Sequence, residues 1–448
     1  MMRDRHTPTD PVVQRVIERA EIEGIELVRF LYADHGGVIR GKATSRSRLG
    51  ERIGTGIGHT VAMMAMNMLD QLQEVEQMGP VGEVRITPDP STFVPLPYAP
   101  GGAAMLSDLR TQDGSPWAAC PRTFLKDAIA ELAGEGYTAV AAFEPEFTLG
   151  RRLPDPAGGP DRLAPLDDSL CYAGTGFDTA HDYTVRLIRA LERQGLQVEH
   201  YYPELGAGQQ ELSVRHAPAL RAADNQVLYR ETVRGVALRM AMWASLAPKP
   251  IADQAGNGCH LHLSLWDGTR NLFDGESDLR SHFVGGLIAH LPALTALTCG
   301  SVNSFRRLAP RMWSSAYAVW GPDNREAAVR VCSALGEGGE NLELKPSDSS
   351  ANPYLSLGAV LHAGLDGIRR RLDPGEAVTI DPDTNPAAYQ RLPASLDEAL
   401  DALEADEVLM EALGPLRRTA YLAVKRSEAT AFKGKDAAYE TFNHLRVF

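Results

Sequence analysis

Residues 143–147 of the chain read FEPEF and place two glutamates, Glu144 and Glu146, two positions apart. The surrounding residues 137–149 are mostly apolar, as in a β-strand, and residues two apart on a strand point to the same face. Like charges this close repel each other, so such a strand needs a cation beside it. The motif therefore predicts a cation site. The simpler interpretation of the same motif is a pair of solvated glutamates on an edge strand.

Two further stretches add potential metal ligands. Glu204 and Glu211 lie in YPELGAGQQE, whose glycines would let the loop fold back on itself, although a polar turn better explains this stretch taken alone. Residues 256–264 (GNGCHLHLS) carry His260 and His262 two positions apart on a predicted strand, behind glycines that let a ligand approach the backbone. A histidine pair alone is more often structural. Imidazoles together with carboxylates suit Mg²⁺ or Mn²⁺ better than structural zinc.

Basic residues occur in two later motifs. Residues 324–331 (NREAAVRV) hold Arg325 and Arg330, which are suited to phosphate oxygens, and Glu343 and Lys345 alternate in ELK. The simpler explanations are an exposed charged turn and a salt-bridged strand. Taken together, the acids, histidines and arginines indicate one metal–phosphate centre built from separated strands. No P-loop and no GxGxxG motif occurs, so metal and arginines would have to hold any nucleotide phosphates.

The composition limits the class of protein. The chain has 448 residues, enough for two or three domains, and its 44% hydrophobic and 23% charged residues are ordinary for a globular protein. A net charge of −13 disfavours nucleic-acid binding. We expect no membrane span, because no run of 18 apolar residues occurs, and no secretory signal, because the N-terminus is polar. Five cysteines without a CxxC motif argue against a disulfide framework, and the expected compartment is the cytoplasm.

Periodicity and turn residues predict alternating helices and strands. The predicted elements are a helix from Asp10-Pro11 to Gly24, strands at 27–32 and 38–42, a linker at 107–121, a helix from Pro121, a surface loop at 150–168, a helix at about 182–194, and helical structure from Ser395.

The order of the motifs resembles the glutamine synthetase family, in its type I-like form, over nearly the whole chain. The motifs are EPE, PExxxGQxE, GNGxHxHxS, NSxxRLxP, NREA, and ExK followed by ANPY. Six motifs in order are far more specific than any one of them. The resemblance implies an α+β fold, with an N-terminal β-grasp-like domain at residues 12–107. A C-terminal catalytic domain at residues 114–448, built on a curved antiparallel sheet, would follow.

The resemblance also implies a reaction and its residues. ATP would phosphorylate the γ-carboxylate of glutamate, and an amine nitrogen would displace the phosphate to form an amide. Two cations, Mg²⁺ or Mn²⁺, would neutralise the phosphates. The implied site residues are Glu146, Glu204 and Glu211 for the first metal; Glu144, His260 and Glu343 for the second; His262, Ser264 and Arg330 for ATP; Arg325 and Arg330 for the transferring phosphoryl group; and Arg307, Gly256 and Lys345 for glutamate. Family members form homo-oligomeric rings, so we expect a ring, with twelve subunits the favoured number and active sites between neighbours.

Two departures from the ammonia-using members concern the acceptor. Trp313 stands where those enzymes carry a flap glutamate that takes a proton from ammonium, and residues 58–66 lack the acid that helps to bind ammonium. A site for ammonium should offer anionic groups, whereas Trp, Met and Ala favour an organic amine, and an indole can also attract an alkylammonium ion. The sequence therefore predicts a γ-glutamyl-amine ligase of the polyamine, ethanolamine or alkylamine branch.

Other departures leave alternatives open. Ala255 replaces an asparagine beside the glutamate site, Lys345 stands where an arginine is usual, and Asn341 replaces a phosphate-side arginine. A carboxylate other than glutamate is therefore an alternative substrate. A true glutamine synthetase that uses ammonia is the second alternative, and a catalytically inactive ring-forming homologue is the third.

The proton of the acceptor needs a base. Alkylammonium groups titrate near the lysine value of about 10.4, so very little free amine exists at pH 7. A positioned base contributes typically about 10²–10⁴ in rate. Glu211 and His59 are the candidates from the sequence, and a surface-loop histidine is the simpler explanation of His59.

Overall fold

The computed structural model describes residues 10–156, 158–159, 161–334, 336 and 339–448. Within these residues the chain forms two sheets surrounded by helices, which confirms the predicted α+β class. The α-helices are α1 (Pro11–Ile22), α2 (Leu49–Thr55), α3 (Pro121–Gly134), α4 (Gly174–Arg193), α5 (Ala219–Arg239), α6 (Asp278–Thr298), α7 (Pro353–Arg370), α8 (Leu396–Ala405), α9 (Glu407–Leu413), α10 (Pro415–Phe432) and α11 (Ala437–Val447). The strands are β1 (Leu27–Ala33), β2 (Ile39–Ser45), β3 (Ile57–Thr60), β4 (Glu83–Pro88), β5 (Val94–Pro95), β6 (Gly102–Arg110), β7 (Thr138–Leu153), β8 (Arg162–Pro165), β9 (Val198–Pro203), β10 (Gln209–Val214), β11 (Ala217–Pro218), β12 (Trp243–Ser245), β13 (Cys259–Trp266), β14 (Trp320–Pro322), β15 (Val329–Cys332) and β16 (Asn341–Leu344).

The N-terminal sheet has the order β2-β1-β6-β4-β3, with β5 paired to β6. Helix α1 begins as predicted, because the Asp10 side chain accepts the Val12 N–H at 2.8 Å and Pro11 occupies the first turn. Its Val13, Val16 and Ala20 are buried in the core of this sheet. The first turns of the chain therefore follow from local sequence signals.

The larger sheet has the order β14-β15-β16-β13-β7-β10-β9, and β8, β11 and β12 also pair with β7. The long strand β7 confirms the predicted strand at 137–149 and extends it to Leu153. Glu144 lies in the part of β7 that pairs with β13, and Glu146 lies in the part that pairs with β10. Because β7 holds strands on both edges, its two glutamates face side chains from both directions.

Three sequence predictions need correction. The predicted linker at 107–121 begins inside β6, because Ser107 and Asp108 are polar residues buried by tertiary contacts. The predicted surface loop at 150–168 contains the end of β7 paired with β8. The helix expected at about 182–194 begins earlier, at Gly174. In each case pairing or packing with distant residues decided the structure of a stretch that looks polar or irregular by itself.

Buried polar contacts tie the N-terminal part of the chain to the rest. Arg122 on α3 is 2% exposed and contacts Asp224 at 2.9 Å, Asp108 at 3.0 Å and Asp89 at 3.0 Å. The Tyr354 hydroxyl donates to Asp224 at 2.7 Å. One guanidinium thus links β6 and the residue after β4 to α3 and α5.

The turn at residues 34–37, between β1 and β2, contacts later parts of the chain. Lys425 donates to the Gly36 carbonyl at 3.0 Å and pairs with Glu428 at 2.9 Å. Gly37 has a φ of +85°, and a Cβ there would lie 2.0 Å from the Ser350 carbonyl oxygen, so only glycine fits. The turn therefore connects β1 and β2 and also docks against the C-terminal part of the chain.

Within the described residues, no helix combines the length and the apolar character that crossing a bilayer requires. The five cysteines are free thiols, in agreement with the prediction that they form no disulfide framework.

Candidate active site

The β7 glutamates lie opposite ligand-type side chains on both neighbouring strands. Glu144 is the Cα partner of His260 on β13, and Glu146 is the Cα partner of Glu211 on β10. His260 Nδ1 lies 3.4 Å from Glu144 Oε2 and 3.1 Å from Glu343 Oε1. The structure therefore brings together His260 and four of the five acids that the sequence predicted to share a site, Glu144, Glu146, Glu211 and Glu343.

The next two strands extend the row. Glu343 on β16 is the Cα partner of His262 on β13 and of Arg330 on β15. His262 Nε2 lies 3.4 Å from Glu144 Oε2, so this histidine, which the resemblance assigns to ATP, also belongs to the carboxylate cluster. Arg330 Nη1 lies 3.0 Å from Glu343 Oε2, and the Lys345 amine lies 2.8 Å from Glu343 Oε1.

Three side chains outside the predicted set contact these carboxylates. His200 on β9 approaches Glu144 Oε1 at 3.8 Å, and Ser213 on β10 donates to the same oxygen at 3.5 Å. The Tyr202 hydroxyl donates to Glu211. His200 and Tyr202 precede Glu204 by four and two positions, so the alternation that marked the other strands would have revealed them.

Hydrogen bonds and neighbouring positive groups favour the ionised form of two of the carboxylates, Glu144 and Glu343. Burial favours the neutral acid at Glu144, but hydrogen bonds from His200, His260 and His262 outweigh it and hold its pKa well below the usual range. The same competition lowers the pKa of Glu343, where burial is outweighed by His260 and then Lys345. Both groups are ready-made anionic ligands.

Two further acids, Glu204 and Glu211, show the opposite shift. Burial, followed by repulsion from Glu144 and Glu146, raises the pKa of Glu211 to about 10. Burial and then Glu146 raise the pKa of Glu204. These are the shifts expected where burial and like charges outweigh the neighbouring donors. A divalent cation bound among them would oppose both shifts by favouring the ionised carboxylates.

The donor set fits hard divalent cations. Ligand atoms of Glu144, His262 and Glu343 lie within 4.8 Å of one another, and so do those of Glu144, His200 and Glu211. Carboxylate oxygens with few imidazoles suit Mg²⁺ or Mn²⁺. The backbone also makes room, because a Cβ at Gly258 would lie 3.1 Å from Glu146 Oε1 and 3.0 Å from His260 Nε2.

Arg307 lies beside this cluster with an unused donor. The residue is 3% exposed, and its Nη2 donates to the carbonyls of Ser347 at 2.7 Å and Lys345 at 3.2 Å. Its Nε is buried and has no hydrogen-bond partner among the described residues. A Cβ at Gly256 would lie 3.0 Å from Arg307 Cγ, so this glycine leaves the arginine its place. A buried unpaired guanidinium nitrogen suits an anionic ligand such as a carboxylate.

The two predicted phosphate arginines differ in position. Arg330 is part of the cluster, and its Nε is likewise buried without a partner among the described residues. Arg325 is exposed in the turn before β15 and makes no hydrogen bond to the carboxylates in the part of the chain that the structure describes. Only Arg330 is therefore in place without a change of side-chain conformation.

A cavity of about 300 Å³ opens beside the cluster. Its lining includes His200, Ser213, His262, Ser264, Trp266 and Asn341. Ser264 Oγ accepts the Trp266 indole N–H at 2.9 Å, and Asn341 Oδ1 lies 2.9 Å from His262 Nδ1. The predicted ATP residues His262 and Ser264 thus border one cavity.

Residues 308–316, which we call the flap, carry Trp313. The indole is half exposed, and Arg311, Trp313 and Ser315 all have positive φ values, of +59°, +52° and +66°. Such a conformation is uncommon for residues other than glycine and costs about 1–3 kcal/mol each. The Glu326 carboxylate accepts the backbone N–H groups of Arg311 at 3.2 Å and Trp313 at 3.1 Å.

The candidate base His59 is not on a surface loop. It is 4% exposed on β3, and its ring packs edge-on against Tyr32 at 5.0 Å. Burial, followed by repulsion from Lys42, lowers its pKa to about 4. The surface-loop explanation was therefore wrong, and the described contacts of His59 lie in the N-terminal sheet rather than in the carboxylate cluster.

Comparison with known proteins gives a consistent result. A family model described as "Glutamine synthetase, catalytic domain" matches residues 118–444, and one described as "Glutamine synthetase N-terminal domain" matches residues 11–117. The gamma-glutamylpolyamine synthetase GlnA3 of Streptomyces coelicolor is 37% identical over 431 residues, covering 92% of each chain. The glutamine synthetase of Pyrococcus furiosus is 34% identical over 406 residues, covering 87% of each. A solved structure described as a GmaS/ADP complex superposes with a TM-score of 0.84 at 31% identity, covering 95% of this chain and 98% of that one.

Proposed function

The chain belongs to the glutamine synthetase family, and from this premise we propose that it joins the γ-carboxylate of glutamate to an organic amine. Family membership establishes an ATP-dependent carbon–nitrogen ligase that uses a divalent metal, glutamate, and an amine or ammonia. The two named relatives act on different acceptors by their names, and their identities to this chain, 37% and 34%, are close. The acceptor therefore has to be argued from the site.

Trp313 is the observation that carries the proposal. Its indole replaces a flap carboxylate and is half exposed. An indole face attracts an organic cation with about 0.5–2 kcal/mol and packs against its methylene groups, which ammonium does not have. Residues 58–66 also offer no acid, and their one histidine is buried. Both features favour an alkylammonium acceptor over ammonium.

The carboxylate cluster supports the phosphoryl-transfer half of the reaction. We assign Glu146, Glu204 and Glu211 to one cation and Glu144, His260 and Glu343 to the other, with Mg²⁺ or Mn²⁺ as the ion. Bound there, two cations would neutralise the charge that moves between ATP and the acyl phosphate. His262 contacts Glu144 and would orient it.

The remaining residues position the substrates. Arg330, with its free Nε, would bind the transferring phosphoryl group, and exposed Arg325 would join it once phosphate is bound. Arg307 would pair with the glutamate α-carboxylate through its buried Nε, with Gly256 at its side. Lys345 pairs with the Glu343 side chain. It would keep this metal ligand ionised and would lie beside the substrate glutamate. His262 and Ser264 would border the ATP phosphates in the 300 Å³ cavity.

The assembly is also part of the proposal. We infer two domains, at residues 12–107 and 114–448, and a homo-oligomeric ring, with twelve subunits the expected number and sites shared between neighbours. Mass photometry of the purified protein measures the ring directly, and a monomer would contradict it.

The test of the acceptor is phosphate release from ATP, glutamate and Mg²⁺ with different amines. Ammonium is compared with putrescine, spermidine, ethanolamine, methylamine, isopropylamine and an aromatic amine, and mass spectrometry identifies the amide. A much larger kcat/KM for one organic amine supports the proposal. A larger value for ammonium would identify an ordinary glutamine synthetase. No metal-dependent ATP turnover with any acceptor would identify an inactive homologue.

A further inference from the structure

The flap is held by the glutamate of the NREA motif, Glu326, to which the sequence assigned no role. Glu326 Oε1 accepts the Trp313 N–H at 3.1 Å, and Oε2 accepts the Arg311 N–H at 3.2 Å. The Ser315 hydroxyl donates to the Glu326 carbonyl at 3.1 Å. The Glu326 side chain is thus bonded directly to the backbone of the residue that replaces the flap acid.

The position of Glu326 relative to the candidate substrate residues is also defined. The Ser314 hydroxyl donates to the Arg307 carbonyl at 2.6 Å, so the flap is tied to the candidate glutamate ligand. The Lys345 N–H donates to the Ala328 carbonyl, two residues beyond Glu326, at 3.0 Å. Lys345 in turn pairs with Glu343 of the metal cluster at 2.8 Å. The Glu326 carboxylate contacts the flap backbone, and Lys345 is among the charged groups near enough to act on it.

This carboxylate keeps capacity for a ligand. An ionised carboxylate has about four lone-pair positions, and the two backbone N–H groups use two of them. The two that remain can accept hydrogen bonds from an ammonium group. Glu326 is partly buried rather than freely solvated, so a cation that reaches it loses less of the interaction to water.

We propose that Glu326 binds the ammonium group of the acceptor amine and removes its proton, taking over the role of the missing flap acid. The inference rests on the function proposed above, because it names the base for that same reaction. Trp313 and Glu326 then have separate roles, since the indole contacts the organic part of the amine and the carboxylate contacts its nitrogen.

The proton balance is as follows. R–NH₃⁺ gives one proton to the Glu326 carboxylate, which leaves R–NH₂ and a neutral carboxylic acid. The amine lone pair attacks the carbonyl carbon of γ-glutamyl phosphate, the new C–N bond forms, and the C–O bond to phosphate breaks. The second nitrogen proton leaves with the phosphate as HPO₄²⁻, and Glu326 returns its proton to water after product release.

The charges around Glu326 are compatible with this role. Burial raises its pKa, the two flap N–H groups oppose this, and then Asp381 raises it and Lys345 lowers it, with a net upward shift. Arg311 faces the same region and lies 3.4 Å from Asp383 and 3.7 Å from Asp381. A carboxylate whose pKa is moved toward neutrality is a better proton acceptor than an exposed one.

The competing role is purely structural, with Glu326 only pinning the flap. The two roles differ in their pH dependence, so the test is the ratio of kcat/KM for the preferred amine between wild type and Glu326→Gln, measured from pH 7 to pH 9. Asp383→Asn is the control, because it weakens the other anchor of Arg311 and leaves the carboxylate of Glu326 in place.

For a base, Glu326→Gln lowers kcat/KM at pH 7 by about 10²–10⁴. The deficit then shrinks by about tenfold per pH unit, because the free amine, with a pKa of about 10.4, rises tenfold per unit. Asp383→Asn should stay within about threefold at every pH. Glu326→Asp retains an acid and should keep the wild-type pH dependence even where its rate is lower.

The negative outcomes separate the two proposals. A Glu326→Gln deficit that is absent, or constant from pH 7 to pH 9, overturns the role of Glu326 as a base. If Glu326→Gln does not fold, a Glu326→Asp variant with the slope of free amine overturns it equally. Wild-type enzyme without amine-dependent phosphate release overturns the proposed function instead.

Discussion

Glu146 on β7 and Glu211 on β10 lie directly opposite each other in the sheet, although 65 residues separate them in the chain. Two buried carboxylates in register repel each other when both carry charge. The Gln209 side chain and the Gly258 N–H donate to Glu146, and the Tyr202 hydroxyl donates to Glu211. These neutral donors orient the two acids but add no positive charge, which a bound divalent cation would supply.

Removing one of these acids should weaken metal binding. We expect Glu146→Gln to lower Mn²⁺ affinity and metal-dependent phosphate release by at least about 10-fold to 100-fold, the effect seen when metal-site partners are lost. Isothermal titration with Mn²⁺ and a phosphate-release assay measure the two effects. Glu192→Gln, an exposed acid of α4, is the control and should change neither. Unchanged Mn²⁺ affinity in Glu146→Gln would contradict the assignment.

Arg307 should determine glutamate affinity. Charge-assisted hydrogen bonds contribute about 1.5–3 kcal/mol, so Arg307→Lys should raise the KM for glutamate by about 10-fold to 100-fold. The neighbouring Arg306 pairs with Glu440 and is about half exposed, so Arg306→Lys should change this KM by less than about threefold. Steady-state kinetics with glutamate as the varied substrate measures the KM of both variants. Equal effects of the two variants would remove the assignment of Arg307.

Trp313 should set the choice of acceptor. Trp313→Glu should raise kcat/KM for ammonium relative to the preferred amine by at least about tenfold, because it restores an anionic group at the flap. Trp313→Gln removes the indole without adding charge, so it should weaken the amine by about 2-fold to 30-fold, as loss of a cation–π contact predicts, with no gain for ammonium. Competition between ammonium and the amine, read by mass spectrometry, measures the ratio. If Trp313→Glu leaves the ratio of kcat/KM for ammonium to that for the amine unchanged, Trp313 does not set the choice of acceptor.

His290 should make stability depend on pH. Its Nδ1 lies 2.6 Å from Asp406 and its Nε2 lies 3.0 Å from Asp366, which joins α6 to α7 and to the residue before α9. Burial opposes the charged form, but the two carboxylates outweigh it and raise the pKa of His290 above 6.5. The ion pairs of His290 therefore stabilise the fold fully below about pH 6.5, the pKa of histidine in the unfolded chain. This stabilisation is lost as the pH rises through the higher pKa of His290 in the folded protein.

The measurement is the melting temperature of wild type and His290→Gln from pH 5.5 to pH 9. The difference between the two proteins should be largest at the acidic end and should shrink as the pH rises. A difference that grows with pH would reverse the sign and contradict the ion pair.

Arg122 should contribute strongly to stability. Arg122→Met leaves Asp224 and Asp108 buried without their guanidinium partner, and breaking a buried pair typically costs about 3–5 kcal/mol. Equilibrium unfolding in urea measures this cost. The double variant Arg122→Met with Asp224→Leu should recover part of it, because it removes one of the stranded charges. A single variant within about 1 kcal/mol of wild type would show that the network is not a source of stability.

Some features of the site follow from strand periodicity alone. Glu144 and Glu146, and likewise His260 and His262, share a face because each pair is two residues apart on a strand, as the sequence predicted. His200 and Tyr202 obey the same rule and could have been found by it. Glu326 could not, because its role depends on flap residues 13 and 15 positions away whose conformation has no local signature.

Several differences between the predicted and the observed structure occur at polar residues that the fold buries. Ser107 and Asp108 look like linker residues, and His59 looks like part of a surface loop, because polar side chains are usually exposed. In the fold, Asp108 is buried against Arg122, and His59 packs against Tyr32. Their partners lie elsewhere in the sequence, so no local pattern announces them.

The sequence by itself determined the family, the α+β class and the ligand types, because these depend on residue identity, motif order and the two-residue period of a strand. Only the tertiary structure decided which carboxylate meets which partner. Glu144 meets His260 across 116 positions, and the buried Arg307 keeps an unpaired Nε in a fold that brings the carbonyls of residues 345 and 347 to its Nη2. The register between distant strands and the burial of charged groups arise from packing the whole chain, which no single segment encodes.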